Sequence, residues 1–331
     1  MGTSHLPNIA LAILASCSKP DMTEGDTGSR SSVDAPSCEI TVNRTAPVDG
    51  ANDHYYLDPI VFELSAPDET AQILTDIPGD TLWSDDGRTL TFKPRDPLAP
   101  MTTYSVILDY CYASPEIVFS TSQYGTSLEA SADLEGAVYM LDFTSGDYTM
   151  GDNAGELMNA VFQWPILVQL LDTDGPYLDA MAAIGEKDTQ TPAQNMCART
   201  LLVDQLSTAT LPLLSGGMND EVFGAIGGLL RFESFQFDGT IGPDALSLGG
   251  IRYEASLGVA EIADLLPDFG GEDAVCTLAS NLDMPCEPCA TDEFELCLRV
   301  AAEHISGIRV STPMTPIAEA GTHPDCELED R

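Results

Sequence analysis

The chain has few basic side chains. Its 331 residues include 13 Lys and Arg against 53 Asp and Glu, which gives a formal net charge of −40. A surface of this sign repels polyanions, so the composition argues against nucleic acid as a partner. Such a surface also attracts cations diffusely. The simpler interpretation of the negative charge is that it keeps the protein soluble, because like-charged molecules repel one another.

Known catalytic motifs are absent from the sequence. It contains no Gly-x-Ser-x-Gly elbow, no phosphate-binding loop and no His-Glu-x-x-His pair. The four histidines have no mutual spacing typical of a metal site or a triad: His5, His54, His304 and His323. We expect His54 to lie on the surface and His304 at a strand end. The sequence therefore predicts no catalytic residue, no metal and no cofactor.

Acidic side chains leave one enzymatic alternative open. Among 53 acids, two could converge as the carboxylate pair of a hydrolase, and sequence alone does not measure their separation.

Residues 172–175, Asp-Thr-Asp-Gly, begin like a calcium loop but lack the later acidic positions and the terminal Glu of an EF-hand. We interpret them as a turn.

The N-terminus carries a short apolar segment. Residues 6–16 are fewer than the roughly 20 that a bilayer-spanning helix needs, but enough for a signal-peptide core. The segment ends in Leu14-Ala15-Ser16-Cys17, which resembles a bacterial lipobox, although only His5 precedes it where Lys or Arg is usual. The resemblance implies a lipoprotein signal peptide over residues 1–16 and acylation of Cys17.

The next segment is polar. Residues 17–37 contain almost no apolar side chain, so after the lipidated cysteine they predict a flexible tether to a membrane. Ser18 follows the cysteine where Asp would retain a lipoprotein at the inner membrane. The resemblance thus implies a lipid-anchored protein of the cell envelope, at the periplasmic or surface face of the outer membrane.

The remaining cysteines are even in number. An exported chain with eight predicts four disulfides, and the candidates are Cys38, Cys111, Cys197, Cys276, Cys286, Cys289, Cys297 and Cys326. We pair Cys38 with Cys111 inside the first module. Short separations favour Cys276 with Cys286 and Cys289 with Cys297, which leaves Cys197 for Cys326. A zinc knuckle or a redox pair at Cys286-Glu287-Pro288-Cys289 is the alternative.

Residues 38–126 read as short strands separated by turns. Segments 60–64, 89–92 and 104–108 are rich in β-formers, and Asp-Gly pairs at 49–50 and 86–87 supply turns. This pattern predicts an all-β sandwich. Tyr104 follows a proline-containing corner, so we expect its ring in the core and its hydroxyl on upstream backbone.

The order of motifs in this module is specific. Residues 46–51 (APVDGA), 86–92 (DGRTLTF), 97–100 (PLAP) and 117–121 (IVFST) follow one another as in the bacterial Ig-like domain of the SbsA type. The module resembles that family, which implies a spacer or adhesive role on a bacterial surface. The segment between Leu64 and Leu82 is shorter than the family pattern, so we expect one irregular edge strand.

Residues 127–331 form a different module. We predict a strand or hairpin over 136–150 and a broken helix or two short buried pieces over 157–171. Strands are predicted over 178–184, 199–204, 231–238, 249–257 and 294–310, and helices over 259–266 and 273–282. The fold class is mainly β: an Ig-like sandwich followed by an α+β module, either an antiparallel sheet or an open barrel with a few helices.

The cysteine order of the second module carries a further resemblance. Residues 273–276, 286–289 and 297–300 are similar to the C-terminal part of lipoproteins of myxobacterial type, which implies export but no activity. We therefore predict a membrane-tethered, non-enzymatic lipoprotein whose second module binds an envelope protein, a polysaccharide or an apolar ligand. An apolar ligand requires that the sheet curve around residues 157–171. The alternative is an exported hydrolase.

Overall fold

A computed structural model of the protein describes residues 39–111, 113–130, 132–149, 164–172, 177–186, 192–207, 211–225, 228–265, 270–282, 284–289, 296–319, 321–324 and 326. The leader, the tether, Cys17 and Cys38 lie outside these ranges. Residues 40–331 make one compact unit.

The N-terminal part is a seven-stranded antiparallel arrangement. Its strands are β1 (Val42–Ala46), β2 (Ile60–Leu64), β3 (Gln72–Leu74), β4 (Gly79–Trp83), β5 (Thr89–Pro94), β6 (Thr103–Asp109) and β7 (Glu116–Ser120). They form one sheet in the order β1-β2-β5-β4 and a second in the order β3-β6-β7. These orders are those of a constant-type Ig sandwich. The predicted all-β fold is confirmed here.

Alternation along the strands explains this core. In β2, the side chains of Ile60, Phe62 and Leu64 are at most 1% exposed, whereas the intervening residues are half-buried. The Tyr104 corner is confirmed at the hydroxyl, which accepts a hydrogen bond from the Ala99 backbone nitrogen at 2.8 Å, while the ring is half-buried beside Phe119. The segment predicted to contain an irregular edge strand holds β3, which is only three residues long.

The C-terminal part is a nearly closed barrel. Its strands are β8 (Val138–Asp142), β9 (Asp147–Tyr148), β10 (Ile166–Asp172), β11 (Tyr177–Ile184), β12 (Leu201–Ser207), β13 (Leu213–Ala225), β14 (Gly228–Ile241), β15 (Ser247–Gly258), β16 (Glu287–Pro288) and β17 (Leu296–Val310). Eight of them follow one another as β15-β14-β13-β12-β11-β10-β8-β17, and pairing of β15 with β17 returns to the start. The open-barrel form of the prediction is therefore the one that the structure adopts.

Among the described residues of this part, two helices accompany the barrel, both where the sequence predicts a helix. Helix α1 spans Val259–Leu265 and helix α2 spans Glu272–Asn281. Ile262 and Ala263 of α1, with Val275 and Ala279 of α2, are buried in the barrel core. Neither helix, nor any other helical segment among the described residues, has the length and apolarity to cross a membrane.

In this module the helix predicted after Pro165 and the hairpin predicted over 136–150 are wrong, whereas the strand alternative for 136–150 is confirmed by β8 and β9. Residues 166–172 form strand β10, not part of a broken helix, because their apolar side chains are held between β8 and β11; residues 157–163 lie outside the described part. Strands β8 and β9 do not make the predicted hairpin, because a 3-10 turn at Phe143–Ser145 redirects the chain. Both strands pair with the long strand β17 instead.

Three disulfides staple the C-terminal part. They join Cys197 to Cys326, Cys276 to Cys286 and Cys289 to Cys297, with Cα–Cα distances of 4.8, 5.5 and 5.1 Å. These are the pairs favoured from the sequence, so Cys286 and Cys289 form neither a redox pair nor a zinc knuckle. Cys111 is also disulfide-bonded, but the predicted Cys38 partner lies outside the described residues. Such bonding is typical of an oxidising compartment outside the cytoplasm.

Candidate functional site

The barrel interior contains an apolar cavity of about 110 Å³. Seven of the eight barrel strands contribute to its wall, and no polar atom is exposed on it. The lining residues are Leu141, Phe143, Ile166, Val168, Leu170, Ala180, Ala182, Val203, Leu206, Leu214, Phe235, Phe237, Gly239, Leu248, Ile251 and Tyr253.

Small residues in the wall explain the cavity. Protein interiors are normally filled to crystal-like density, so a void of this size needs positions where side-chain volume is missing. Ala180 and Ala182 on β11 are such positions. Gly239 on β14 also borders the cavity, but the space beside it is filled by Ile251. A Cβ atom on Gly239 would lie 2.8 Å from Cγ1 of Ile251. Gly239 must therefore stay a glycine for β14 and β15 to approach this closely.

Aromatic rings shape one side of the cavity. The ring of Tyr253 stacks on Phe235 with centroids 5.6 Å apart and lies 5.4 Å from the ring of Phe143. Burial raises the pKa of the Tyr253 hydroxyl, and also that of its neighbour Tyr148. Both hydroxyls are therefore neutral at physiological pH, and the wall carries no charge. Because the cavity wall offers neither a charge nor an exposed polar atom, it suits an apolar ligand.

A second candidate site lies where the sandwich meets the barrel. The hydroxyl of Tyr55 is 2.5 Å from the hydroxyl of Thr240 on β14. Its ring lies flat against Gly250 on β15, so closely that a Cβ there would overlap it, and Gly250 has a φ of 58°. Tyr124 covers Gly249 in the same way. The Gly-Gly pair thus gives two tyrosines of the N-terminal part a flat backbone to dock on.

Charged side chains complete this junction. Asp58, at the end of a sandwich loop, makes an ion pair with Arg252 on β15. His304 on β17 places Nε2 2.5 Å from Asp58 Oδ2 and Nδ1 2.9 Å from Asp147 Oδ2. Ile251 pairs with Ile305 and Tyr253 pairs with Ala302, so one residue of β15 faces two residues of β17 between these pairs. His304 is one of those two residues, and its φ of 59° marks the β-bulge. The bulge turns its side chain outward toward the sandwich.

These contacts hold His304 in its charged form. Its hydrogen bond to Asp58 raises the pKa of His304 to about 9, with Asp147 adding to the effect and burial opposing it. Burial alone would raise the pKa of Asp58, but the hydrogen bond and charge of His304, together with Arg252, lower it. An imidazolium whose two N–H groups both donate to carboxylates has no lone pair to accept a proton. The ion pair of His304 with Asp58 therefore joins the barrel to the sandwich, and His304 is not placed to act as a general base. We call this ion-pair cluster of Asp58, Arg252, His304 and Asp147 the fastener.

Both histidine expectations need correction. His54 is buried, with 8% of its surface exposed, and its ring meets the edge of Phe119 at 4.9 Å. Burial lowers the pKa of His54. His304 lies inside β17 rather than at its end. No sequence spacing indicates the junction, since Asp58, Asp147 and His304 come from three distant segments that only the folded sheet brings together.

The metal site, the carboxylate pair and the turn at residues 172–175 remain to be compared with the structure. Among the residues that the structure describes, no three His, Cys, Asp or Glu side chains are placed to hold a metal ion. The carboxylates of Asp58 and Asp147 are both engaged by His304. Of the turn predicted at residues 172–175, positions 173–175 lie outside the described ranges.

The fastener predicts a pH dependence of stability. Because the pKa of His304 rises from its ordinary 6.5 to about 9 on folding, its stabilisation is complete below pH 6.5 and is lost as the pH rises through 9. Its side chain is 40% exposed, so solvent screening reduces the loss to about 1–2 kcal/mol. Asp58 has a lowered pKa, so its contribution is lost only in acid. Urea unfolding from pH 6 to 10 should show this decline, and His304→Gln should flatten it. An identical decline in the variant would contradict the assignment.

Comparisons with known proteins add little. No protein-family model matches the chain, and no curated protein matches it. Among solved structures it is similar to an L,D-transpeptidase from Mycobacterium smegmatis, with 9% identity and a TM-score of 0.21 over 47% of this chain and 80% of that chain. A similarity this slight does not bear on fold or function.

Proposed function

We propose that the protein is a lipid-anchored, non-enzymatic lipoprotein of the cell envelope whose barrel binds an apolar ligand. The observation that carries this proposal is the wholly apolar cavity inside the barrel. The Ig-like part is the spacer between the tether and the barrel, and the junction at Asp58, Arg252 and His304 holds the two parts together.

The energetic cost of the cavity supports a ligand. At roughly 24 cal/mol per Å³, an empty volume of about 110 Å³ costs the fold about 2.6 kcal/mol. Larger side chains at Ala180 or Ala182 would recover part of this cost. A dry engineered cavity of roughly similar size, about 150 Å³, binds benzene, so the space is sufficient for a small hydrocarbon group.

Filling the cavity should abolish binding. We expect saturable binding of benzene to the unmodified protein in calorimetry, with the negative heat-capacity change of apolar burial. Ala182→Leu places three more carbon atoms at the cavity wall and should remove this binding. Ala318→Leu makes the same change at an exposed position and serves as the control. Equal binding by both variants, or none by the unmodified protein, would refute the proposal.

Lipid attachment is tested at the lipobox. Cys17→Ala removes the thiol that the lipid would occupy, so the protein should move from the detergent-rich to the aqueous phase in detergent partitioning. Cys38 is not a suitable control because we expect it to be bonded to Cys111, but Ser18→Ala changes a neighbouring residue without removing the thiol. If Cys17→Ala partitions like Ser18→Ala, the anchor does not exist.

A further inference from the structure

The outer surface of the barrel contains a cleft of about 420 Å³. It crosses strands β13, β14, β15 and β17. The alternation that points Phe237 and Tyr253 into the apolar cavity turns their neighbours on β14 and β15 outward into this cleft. We call it the polar cleft, after the six polar side chains that line it on these strands: Ser215, Gln236, Asp238, Arg252, Glu254 and Glu303.

The strand register arranges these side chains in two rows. In the first row, Asp238 pairs with Arg252, and Arg252 faces the bulge of β17 that contains Glu303. In the second row, Gln236 pairs with Glu254. Paired positions on one face of a sheet have Cβ atoms about 4.5–5.5 Å apart. Each row therefore brings hydrogen-bonding groups of different strands close together.

Several groups in the polar cleft have no partner within the protein. Among the residues that the structure describes, neither the Asp238 carboxylate nor the Gln236 amide makes a hydrogen bond or an ion pair. The Nε–H of Arg252 is buried without a hydrogen bond and lies 4.0 Å from a carboxylate oxygen of Glu303. Burial raises the pKa of the Asp238 carboxyl, and the charge of Arg252 offsets this only in part. The cleft thus offers an acceptor and a donor side by side.

The junction with the sandwich fixes the donor in place. Arg252 makes its ion pair with Asp58 through a terminal nitrogen, and its guanidinium lies 5.6 Å from the centre of the Tyr55 ring. These contacts use one end and one face of the guanidinium, so its Nε–H stays available on the side of Glu303. A donor that the protein already holds loses little conformational freedom when a ligand binds.

We propose that the polar cleft binds a neutral saccharide. A hydroxyl group both donates and accepts, so neighbouring hydroxyls can donate to Asp238 or Glu303 and accept from the Arg252 Nε–H. An anion would meet two carboxylates and a formal net charge of −40. A simple cation would lie beside a guanidinium and leave its Nε–H without a partner. The polar cleft is separate from the apolar cavity, so this inference does not depend on the proposed function.

Trisaccharides titrated by calorimetry into the unmodified protein test the proposal. The neutral probes are maltotriose, mannotriose and the trimer of N-acetylglucosamine, and the trimers of glucosamine and galacturonate are the charged ones. We expect saturable binding of at least one neutral trimer and none of the galacturonate trimer. Absence of neutral binding, or a charged trimer binding more tightly than every neutral one, would overturn the proposal. Either result would leave benzene binding in the barrel unaffected.

Variants locate the binding. Asp238→Ala should weaken binding of the best neutral trimer at least tenfold, because hydrogen bonds to charged groups are the strong ones. Its urea midpoint should not fall, since this carboxylate has no partner within the described residues. Gln236→Ala, at an exposed position, should also weaken binding. Asp96→Ala removes a carboxylate from an exposed position of the sandwich and serves as the control. Affinities of the two cleft variants equal to that of Asp96→Ala would overturn the assignment.

Discussion

Asp58→Ala should lower the free energy of unfolding by about 3 kcal/mol. The Asp58 side chain is 10% exposed and serves two cations, Arg252 and His304. Its removal leaves both charges at a largely buried junction without their shared counterion, and breaking a buried ion pair typically costs roughly 3–5 kcal/mol. The lower end applies because Arg252 and His304 are themselves 26% and 40% exposed. Urea unfolding at pH 6 measures the effect.

Asp147→Ala is the matched control for this prediction. Asp147 also accepts a hydrogen bond from His304, at 2.9 Å, but its side chain is 78% exposed. Water can replace an exposed carboxylate, so we expect a loss of less than about 1 kcal/mol. Equal losses for the two variants would show that burial of Asp58 does not fasten the junction.

Removal of the Cys197–Cys326 disulfide should cost about 5 kcal/mol. The bond spans 129 residues of sequence, and in the chain-entropy model the stabilisation grows with the loop that a disulfide closes. The double variant Cys197→Ser, Cys326→Ser avoids a free thiol. Its unfolding free energy should fall about twice as far as in the Cys289→Ser, Cys297→Ser variant, whose bond spans only 8 residues. Equal losses would contradict the entropic account.

The contacts near this disulfide explain what it secures. The side chain of Gln194 donates to the Thr315 carbonyl at 2.8 Å and accepts from the Thr315 nitrogen at 2.7 Å, as a backbone strand would. Thr200 accepts from the Ile317 nitrogen at 2.9 Å, and Ile317 is 3% exposed. The bond therefore fixes a C-terminal segment that is already attached by hydrogen bonds. Limited proteolysis of the double variant should cleave this segment first.

Local patterns made parts of the fold predictable. The alternation of β2, the turn at Gly87 and the corner at Tyr104 depend on neighbouring residues, and all can be read from the sequence. The strand at residues 166–172 could not be predicted from local sequence. A continuous apolar run fits a buried helix as well as a buried strand, and only its partners β8 and β11 decide between them.

The candidate sites were less predictable than the fold. The sequence indicates an apolar interior only if the sheet closes. Closure depends on β17 pairing with both β15 and β8, and β8 lies far from β17 in the chain. The junction gives no sequence signal at all. His304 meets Asp58 across a separation of 246 residues, and the bulge that aims it arises from the register of the folded sheet.

Xenon binding tests the central claim most directly, because xenon enters apolar cavities and leaves polar ones empty. Crystals of the protein under xenon pressure should show one strong anomalous peak inside the barrel, between Val168, Ala182 and Phe237. The peak should disappear in crystals of Ala182→Leu and persist in those of Ala318→Leu. A barrel interior filled by side chains, or occupied by ordered water with no xenon peak, would contradict the account.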